Sequence, residues 1–328
     1  MNLLERISTM GHGAVAPLIG FPGAVLTNTS LRQNVSDAET HIASIRAVHR
    51  RWAPDIVFPM MDLAVEAHAL GLPVRFPENE SPTVERHPVQ SADDLQPLRE
   101  RDILSDARLQ SFLQAVEAIS ALPETLHGAY VIGPFTLSGL LAGASQVALA
   151  TIRAPGFVHA LLEFSIDVII SYARACVDSG AELIAFLEPT AALLSPKAFA
   201  EFSGRYVTIL REALPTFTVL HVCGNTTRLL SAMCETKVDG LSLDAAVDFA
   251  AAAQTVPGDV VLIGNIDPVG VMGAANPDVI SHAVRELREK MHGHENFVLS
   301  TGCDLPMDTP LDNIDAFMEV GRQLTSRA

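Results

Sequence analysis

A histidine and a cysteine two residues apart end an apolar run in the segment VLHVCGNTTRLL, residues 219–230. If the backbone is extended here, His221 and Cys223 point to the same side, because side chains alternate along a strand. An imidazole and a thiolate at one strand end can then approach the same metal ion. The H-x-C spacing alone is a weak signal, and a buried strand end with two ordinary core residues is the alternative interpretation.

The strands and helices around His221 and Cys223 determine whether further metal ligands can lie beside them. Short continuous apolar runs alternate with longer helical patterns, which is typical of parallel strands buried on both faces. The eight runs are Ala14–Ile19, Ile56–Pro59, Ala129–Ile132, Leu183–Phe186, Thr218–Val222, Gly240–Leu243, Val260–Ile263 and Phe297–Ser300. Eight strand–helix units predict an α/β fold, a (β/α)8 TIM barrel, in preference to a doubly wound open sheet that the same alternation also fits.

The predicted barrel is a single domain over residues 1–328 and carries two additions. One is an N-terminal extension ahead of the first strand. The other is an excursion over residues 72–100, rich in proline and charge, between the second and third strands.

In such a barrel the carboxyl ends of the strands share one mouth, where catalytic groups collect. Cys303 follows the eighth predicted strand, so it can reach across the mouth as a third ligand beside His221 and Cys223. Asp244 follows the sixth strand and is expected to act as a fourth, displaceable ligand. One imidazole and two thiolates suit Zn²⁺, and three protein ligands leave a position for water or substrate.

Other polar and turn residues follow the remaining strands. Candidate catalytic residues, expected to orient the acceptor or the metal ligands, are Asp62, Glu188 and Asn265. Gly133 and Pro134 are expected to shape the mouth where a cofactor binds. Aspartates at strand ends are also typical of helix N-caps, which is the interpretation favoured for Asp267 and Asp304.

Charge and cysteine content limit the partners and the compartment. Lys+Arg 22 against Asp+Glu 38 gives a net charge of -16, which disfavours nucleic acid and anionic membranes as partners. Four cysteines are too few for a disulfide framework in a chain of 328 residues, so a reducing, cytoplasmic setting is expected. Pro17 and Pro22 interrupt the apolar N-terminal stretch, and neither a signal peptide nor a membrane span is predicted.

Several longer segments resemble a known family. HVCGNTT, DGLSLD, GNIDP and STGCDLPMDTPLDNIDAFMEVGR together resemble the uroporphyrinogen decarboxylase superfamily, and PDIVFPMMDLAVEAHALG fits the same family. Within it, H-x-C-G-N-T with a late G-C-D resembles the corrinoid-dependent methyltransferases of the MtaA/MtbA/CmuA type. The resemblance covers nearly the whole chain.

The resemblance implies a (β/α)8 barrel with zinc held by His221, Cys223 and Cys303. The metal activates a thiol such as coenzyme M, which takes a methyl group from methylcobalamin; tetrahydrofolate is the other acceptor considered. Asp244 falls where family members can offer an acidic zinc ligand, and Glu188 where relatives commonly have aspartate. Because the sequence lacks the D-x-H-x-x-G pattern of base-off cobalamin-binding domains, the corrinoid is expected on a separate protein. A homodimer is a candidate assembly.

Two other functions stay open. The decarboxylase branch acts on a tetrapyrrole with several carboxylates, which favours arginines at the mouth, whereas PLIGFPGAVLTNTSLRQN offers only Arg32. Asp62 nevertheless lies near the position of that branch's key aspartate. The other alternative is a non-catalytic barrel that binds a tetrapyrrole or a partner, although such a barrel has no reason to keep three metal ligands on two distant strands.

Overall fold

Strands and helices alternate along the chain, of which the computed structural model describes residues 1–10, 13–273 and 276–323. The strands are β1 Ile56–Val57, β2 Val74–Arg75, β3 Thr83–Val84, β4 Leu126–Ile132, β5 Leu183–Leu187, β6 Phe217–Val222, β7 Gly240–Leu243, β8 Val261–Ile266 and β9 Phe297–Thr301. The helices are α1 Leu3–Ser8, α2 Pro22–Thr27, α3 Leu31–Asn34, α4 Ala38–Trp52, α5 Val65–Ala69, α6 Gln96–Arg99, α7 Ala107–Ser120, α8 Pro134–Ala142, α9 Ala144–Arg153, α10 Pro155–Asp178, α11 Pro196–Phe199, α12 Arg205–Glu212, α13 Leu230–Cys234, α14 Phe249–Thr255, α15 Pro277–Lys290 and α16 Leu311–Gln323.

Seven strands form one parallel sheet in the order β1-β4-β5-β6-β7-β8-β9. The chain ahead of β1 lies between the two ends of this sheet. Val15 pairs in parallel with Leu299 of β9, and its carbonyl accepts a hydrogen bond of 3.1 Å from the N–H of Asp55, next to β1. The ring of strands with surrounding helices confirms the predicted TIM-barrel type of α/β fold.

The first predicted strand, Ala14–Ile19, differs from the prediction because it forms an isolated bridge and no regular strand. Pro17 has no N–H to donate to a strand ladder. The N–H of Leu18 donates to the side-chain Oγ1 of Thr301 at 3.1 Å instead of to a backbone carbonyl. The prediction of eight regular strands is therefore wrong by one, and this irregular segment occupies the remaining place in the ring.

Alternate residues of the barrel strands face the interior. On β5, Leu183 and Leu187 belong to the buried cluster inside the barrel, whereas Ile184 packs in the cluster between sheet and helices. On β6, Val219 belongs to the interior cluster, so His221, two residues further, also points inward. This alternation brings the histidine to the inside of the barrel mouth.

Both predicted additions are present. The N-terminal extension forms α1, whose Leu3 and Ile7 pack into the interior cluster of the barrel. The excursion after β1 contains the antiparallel pair β2–β3 and the short helix α6. Val84 and Leu95 anchor the excursion in the cluster that lies between sheet and helices.

Among the described helices, no single one is long and apolar enough to cross a membrane. Helices α8 and α9, which are bent by 104° relative to each other, meet those requirements of length and composition only as a pair.

Candidate metal centre

Three side chains meet at the carboxyl ends of β6 and β9. The Nε2 atom of His221 lies 3.2 Å from the Sγ of Cys223 and 3.8 Å from the Sγ of Cys303. The two sulfur atoms are 3.6 Å apart. His221 is buried, and the two cysteines are half-buried, so the trio borders the mouth of the barrel.

These separations fit a tetrahedral zinc site. Zinc–sulfur bonds of about 2.3 Å and zinc–nitrogen bonds of about 2.0 Å place two sulfurs about 3.8 Å apart and sulfur about 3.5 Å from nitrogen. The measured distances of 3.6 Å, 3.2 Å and 3.8 Å are close to these tetrahedral edges. Without further rearrangement, His221, Cys223 and Cys303 could therefore hold one zinc ion and leave its fourth position to another ligand.

The two thiols of the trio are chemically unequal. The hydrogen bond from Cys303 lowers the pKa of Cys223, and the same contact together with burial raises the pKa of Cys303. One proton shared between two close sulfurs is the behaviour of a strongly coupled pair. A cation placed between the sulfurs would favour the thiolate form of both.

The imidazole of His221 is oriented by the neighbouring strand. Its Nδ1 atom lies 2.9 Å from the hydroxyl oxygen of Ser242 on β7. An Nδ1–H that donates to this hydroxyl leaves Nε2 unprotonated and facing the two sulfurs, which is the tautomer a metal ligand requires. The sequence prediction missed Ser242, although its inward position on the strand beside β6 is a signal that could have found it.

Asp244 holds the loop that follows Cys223. Its Oδ2 accepts a hydrogen bond of 2.8 Å from the N–H of Gly224, and its Oδ1 accepts one of 2.8 Å from Ala246. Gly224 adopts a φ of +85°, a conformation that favours glycine, where the chain turns out of β6. Both oxygens of Asp244 have backbone partners in this arrangement, and its role as a fourth zinc ligand stays a prediction.

Asn265 anchors the same loop from β8. Its side-chain amide donates to the carbonyls of Asp244, at 3.0 Å, and Val247, at 2.7 Å. These bonds fix the backbone that carries the Asp244 carboxylate. Asn265 thus contacts the loop that follows Cys223 through the backbone of Asp244, and its catalytic, orienting role stays a prediction.

A family model for uroporphyrinogen decarboxylase matches residues 17–324. The chain belongs to the uroporphyrinogen decarboxylase family. The methylcobamide:CoM methyltransferase MtbA of Methanosarcina acetivorans is 30% identical over 298 residues, which are 88% of this chain and 85% of that protein. A uroporphyrinogen decarboxylase of Prochlorococcus marinus (strain MIT 9515) is 26% identical over 311 residues, which are 90% of this chain and 87% of that protein.

A solved structure supports the same fold for this uroporphyrinogen decarboxylase family member. A methyltransferase from Methanosarcina mazei superposes with a TM-score of 0.87, and the match covers 99% of each chain at 22% sequence identity. At this level of sequence identity, the structural likeness shows the barrel fold alone.

Glu188, predicted as a catalytic residue, caps a helix in this family member. Its carboxylate accepts hydrogen bonds of 2.8 Å from the N–H groups of Phe135 and Thr136, which open α8, and one of 2.9 Å from the hydroxyl of Ser203. A carboxylate at a helix N-terminus satisfies free N–H groups and interacts favourably with the helix dipole. Burial raises the pKa of Glu188, although these hydrogen bonds oppose the shift.

Gly133 and Pro134, predicted to bind a cofactor, form the start of α8 around that carboxylate. A Cβ atom at Gly133 would clash with Oε2 of Glu188, so glycine leaves the room that the carboxylate occupies. Pro134 stands at the first helical position, where its missing N–H is not needed. Both residues are buried, and their contact with a cofactor stays a prediction.

Asp62, the remaining predicted catalytic residue, forms a buried ion pair with Arg108 of α7. Its other oxygen accepts a hydrogen bond of 2.7 Å from the N–H of Ala64. Arg108 also donates to the carbonyl of Val35 at 2.9 Å, and burial lowers the pKa of its guanidinium to about 10. The structure therefore does not bring Asp62 into the His–Cys–Cys trio.

Asp304 does not cap the helix that follows it, contrary to the interpretation from the sequence. Its Oδ1 accepts a hydrogen bond of 2.9 Å from the N–H of Gly20, on the segment between the first barrel position and α2. Burial raises the pKa of Asp304 to about 7. Asp304 directly follows Cys303 in the chain, and its carboxylate lies against the backbone of Gly20.

A cavity of about 660 Å³ opens next to Asp304. Its walls come from α2 and α3, from the excursion at residues 79–81, and from the loop after β9. Clefts of about 300–1,000 Å³ are the usual size of small-molecule sites. The cavity therefore has the size of a small-molecule site, and its lining includes Asp304 but none of His221, Cys223 and Cys303.

Proposed function

We propose that this protein is a zinc-dependent methyltransferase that moves a methyl group from a methylated corrinoid to a thiol. The observation that carries the proposal is the convergence of one imidazole and two thiol groups at distances of 3.2 Å to 3.8 Å. Relatives named methylcobamide:CoM methyltransferases support the reaction class. Tetrahydrofolate is the second acceptor considered.

His221, Cys223 and Cys303 would hold the metal. When bound, zinc supplies a positive charge that lowers the pKa of a thiol in its fourth position, while the two protein thiolates balance that charge and keep the thiol sulfur electron-rich. Ser242 keeps the imidazole in the required tautomer. Asp244 holds the backbone after Cys223 in place.

The transfer is a displacement at the methyl carbon. The acceptor thiol loses its proton, a sulfur–carbon bond forms, and the cobalt–carbon bond breaks with both electrons remaining on cobalt. The methyl donor and the acceptor must therefore approach from opposite sides of the methyl group. The chain's own contribution is to hold the acceptor sulfur at the mouth and to keep the donor's approach open.

We propose that the donor is methylcobalamin carried by a separate corrinoid protein that docks over the barrel mouth. The sequence contains no D-x-H-x-x-G pattern, in line with a corrinoid carried elsewhere. Because the reaction needs reduced thiols at Cys223 and Cys303, we further propose a cytoplasmic location. A homodimer remains our candidate for the assembly.

Decarboxylation of a tetrapyrrole is the second candidate, favoured by relatives such as the Prochlorococcus enzyme. Two observations make it the weaker one. The Asp62 carboxylate is engaged with Arg108 and Ala64. Among the described residues, those that line the cavity next to Asp304 include carboxylates and none of the cationic side chains that a polycarboxylate substrate requires.

The decisive test combines metal content with methyl transfer. We expect the untagged protein to contain about one zinc per chain and to consume methylcobalamin when a thiol is supplied, which is followed by the cobalamin absorbance. Cys303→Ala should lose most of the zinc and the activity. Cys234→Ala, a half-buried cysteine on α13, is the matched control and should keep both.

Each alternative has its own outcome. If the enzyme transfers the methyl group to tetrahydrofolate but to no thiol, the proposed thiol acceptor is replaced by tetrahydrofolate. Release of CO₂ from uroporphyrinogen without methyl transfer would favour the decarboxylase. Absence of bound metal together with full activity of Cys303→Ala would remove the zinc proposal.

A further inference from the structure

The two cysteines of the candidate metal centre lie close enough to react with each other. Their sulfur atoms are 3.6 Å apart, although Cys223 follows β6 and Cys303 follows β9. All four cysteines of the chain are free thiols. Within the described parts of the chain, this is the only contact between two cysteine sulfurs. The fold therefore brings one pair of thiols together and leaves Cys176 and Cys234 without a neighbouring cysteine.

The backbone around Cys223 has room for the two sulfurs to approach further. A disulfide bond is about 2.05 Å long, so sulfurs that are 3.6 Å apart must move closer by about 1.5 Å. Gly224 turns the chain out of β6, and a Cβ atom placed on it would meet no atom within 4 Å apart from its chain neighbours. At Gly302, by contrast, a Cβ atom would clash with the backbone nitrogen of Ala245. Close packing thus holds the chain next to Cys303, while the open turn after Cys223 allows the shift.

Both thiols border the barrel mouth, where a small oxidant reaches them. Cys223 and Cys303 are half-buried, whereas Cys176 is fully buried on α10. Cys234 is also half-buried, but it lies on α13, and its sulfur contacts no other cysteine among the described residues. Accessible cysteines with a second cysteine beside them are typical of redox-sensitive pairs. Of the four cysteines, which all lie in the described ranges, only Cys223 and Cys303 meet both conditions.

Metal binding and disulfide formation would use the same two sulfurs. A cysteine binds zinc as the thiolate, and the sulfurs of a disulfide carry no such charge. Oxidation of the pair would leave His221 as the only ligand of the trio, whereas zinc sites in proteins need three or four protein ligands. A disulfide at this position is therefore incompatible with the zinc site proposed above.

We propose that Cys223 and Cys303 form a redox modification site, at which a hydroperoxide converts the two thiols into a disulfide and the protein releases its metal. The release of metal rests on the proposed zinc-dependent function, whereas the disulfide rests on the separation of the two sulfurs. Disulfides in reducing compartments are usually transient and redox-sensing, so a thiol reductant would restore the metal site.

The oxidation takes two steps. One sulfur attacks a peroxide oxygen, the oxygen–oxygen bond breaks, and a sulfenic acid and an alcohol form, or water when the oxidant is hydrogen peroxide. The second sulfur attacks the sulfenic sulfur, a sulfur–sulfur bond forms, and the oxygen leaves as water. The pair loses two electrons, which reduce the peroxide, and the two thiol protons end in the alcohol and the water. When both sulfurs are metal-bound thiolates, the solvent supplies these two protons.

Peptide mapping identifies the bond directly. Cleavage after lysine and arginine places each cysteine in its own peptide, with Cys223 in residues 212–228 and Cys303 in residues 291–322. Zinc-loaded protein is treated with hydrogen peroxide and digested without reductant. We expect these two peptides to be linked, with the loss of two hydrogen atoms, and about one zinc ion to be released per link, measured with a chromophoric chelator. A dithiol with added zinc should reverse both changes.

Single substitutions test whether each sulfur reacts with the other. In Cys303→Ser, oxidised Cys223 has no neighbouring thiol, so it should stop at the sulfenic acid and be labelled by dimedone. Cys223→Ser should leave Cys303 to be labelled in the same way. The wild type should take up little label, because the second thiol removes the sulfenic acid. Cys234→Ser is the matched control and should form the link and release zinc like the wild type.

The outcomes separate this inference from the proposed function. Oxidised wild type that keeps its zinc, links Cys223 or Cys303 to Cys234, or accumulates sulfinic acid without the link would overturn the inference. A zinc-loaded protein that forms the link and releases zinc, yet transfers no methyl group, would support the inference and refute the proposed function. If the protein binds no zinc, the proposed function and the release of metal both fail.

Discussion

The imidazole Nδ1 of His221 lies 2.9 Å from the Oγ of Ser242, the residue opposite it in the parallel register of β6 and β7. Strand pairing thus brings a hydroxyl directly beside the histidine of the candidate metal centre. A metal-bound histidine usually donates its second N–H to a carboxylate, a backbone carbonyl or water, so a neutral serine hydroxyl is an unusual partner. The bond sets the tautomer without adding a negative charge next to the two cysteines.

Removal of the Ser242 hydroxyl should weaken metal binding. Ser242→Ala leaves Nδ1 of His221 without its partner, and loss of such a partner typically costs about 10-fold to 100-fold in metal affinity. Ser242→Thr keeps the hydroxyl and should restore most of the affinity. Zinc affinity is measured by competition with a chromophoric chelator.

Ser300→Ala is the control for this test, because Ser300 is also buried on a barrel strand and donates to the carbonyl of Ala16 at 2.7 Å. It should lower stability but leave zinc affinity unchanged. Equal zinc affinity in Ser242→Ala and wild type would show that the Ser242 contact does not orient the histidine.

Substitutions at Asp244 distinguish a positioning residue from a ligand. If Asp244 acts by holding the N–H of Gly224, Asp244→Asn retains an acceptor oxygen and should keep zinc affinity within about 3-fold, whereas Asp244→Ala should lose about 10-fold. If Asp244 binds the metal directly, both variants should lose affinity similarly. The absorption spectrum of the Co²⁺-substituted protein reports the ligand set and would change in Asp244→Asn only in the second case.

The fold and the convergence of His221, Cys223 and Cys303 could be predicted because both follow from strand periodicity. Parallel strands align their carboxyl ends at one mouth, and alternation directs His221 and Cys223 to the same side, so Cys303 after the last strand becomes a neighbour despite a separation of 80 residues from Cys223. The segment at residues 14–19 does not follow this periodicity. Pro17 has no N–H to donate, and side-chain hydrogen bonds take the place of a regular backbone ladder. The assignment of residues 1–328 to a single domain stays a prediction.

The partners of the other predicted residues could not be read from periodicity. Glu188 ends a strand, which predicts a catalytic role that stays a prediction, and its hydrogen-bond partners are the N–H groups that open α8. Asp62 meets Arg108, which lies 46 residues away on α7. Which acidic strand end becomes a cap, an ion pair or a ligand depends on how helices pack around the barrel, and the sequence pattern carries no signal for that packing.

The Asp62–Arg108 pair should contribute to stability and not to metal binding. Both side chains are buried, and removal of one member of such a pair leaves an uncompensated charge, so Arg108→Met should lower the free energy of unfolding by about 3–5 kcal/mol. Asp62→Leu combined with Arg108→Met should recover part of this loss. Urea denaturation of the two single variants and the double variant gives the coupling energy.

The turnover rate and the free energy of unfolding distinguish a catalytic from a structural role of Asp62, because zinc content should be retained in both cases. If Asp62 is catalytic, Asp62→Asn should reduce kcat strongly while unfolding free energy and zinc content stay near wild type. A stability loss with retained zinc supports the structural role.

Glu66 should make the stability of the protein depend on pH. Its side chain is 1% exposed, Oε1 accepts a hydrogen bond of 2.7 Å from the N–H of Ile132, and burial raises its pKa from the usual 4.5 to about 7. In the unfolded chain the carboxyl loses its proton near pH 4.5, whereas in the folded protein it keeps the proton until about pH 7. The folded state therefore binds more protons between these values, and stability falls as pH rises through this window.

Glu66→Gln removes the ionisation and keeps an acceptor for the Ile132 N–H. The variant and the wild type should have similar free energies of unfolding at pH 4 to 5, and the variant should be more stable by up to about 3 kcal/mol at pH 8. Urea denaturation of metal-free protein at several pH values measures the difference, with Glu163→Gln, an exposed residue of α10, as the control. Parallel pH profiles for Glu66→Gln and wild type would mean that Glu66 titrates alike in the folded and unfolded states, and that its burial does not raise its pKa.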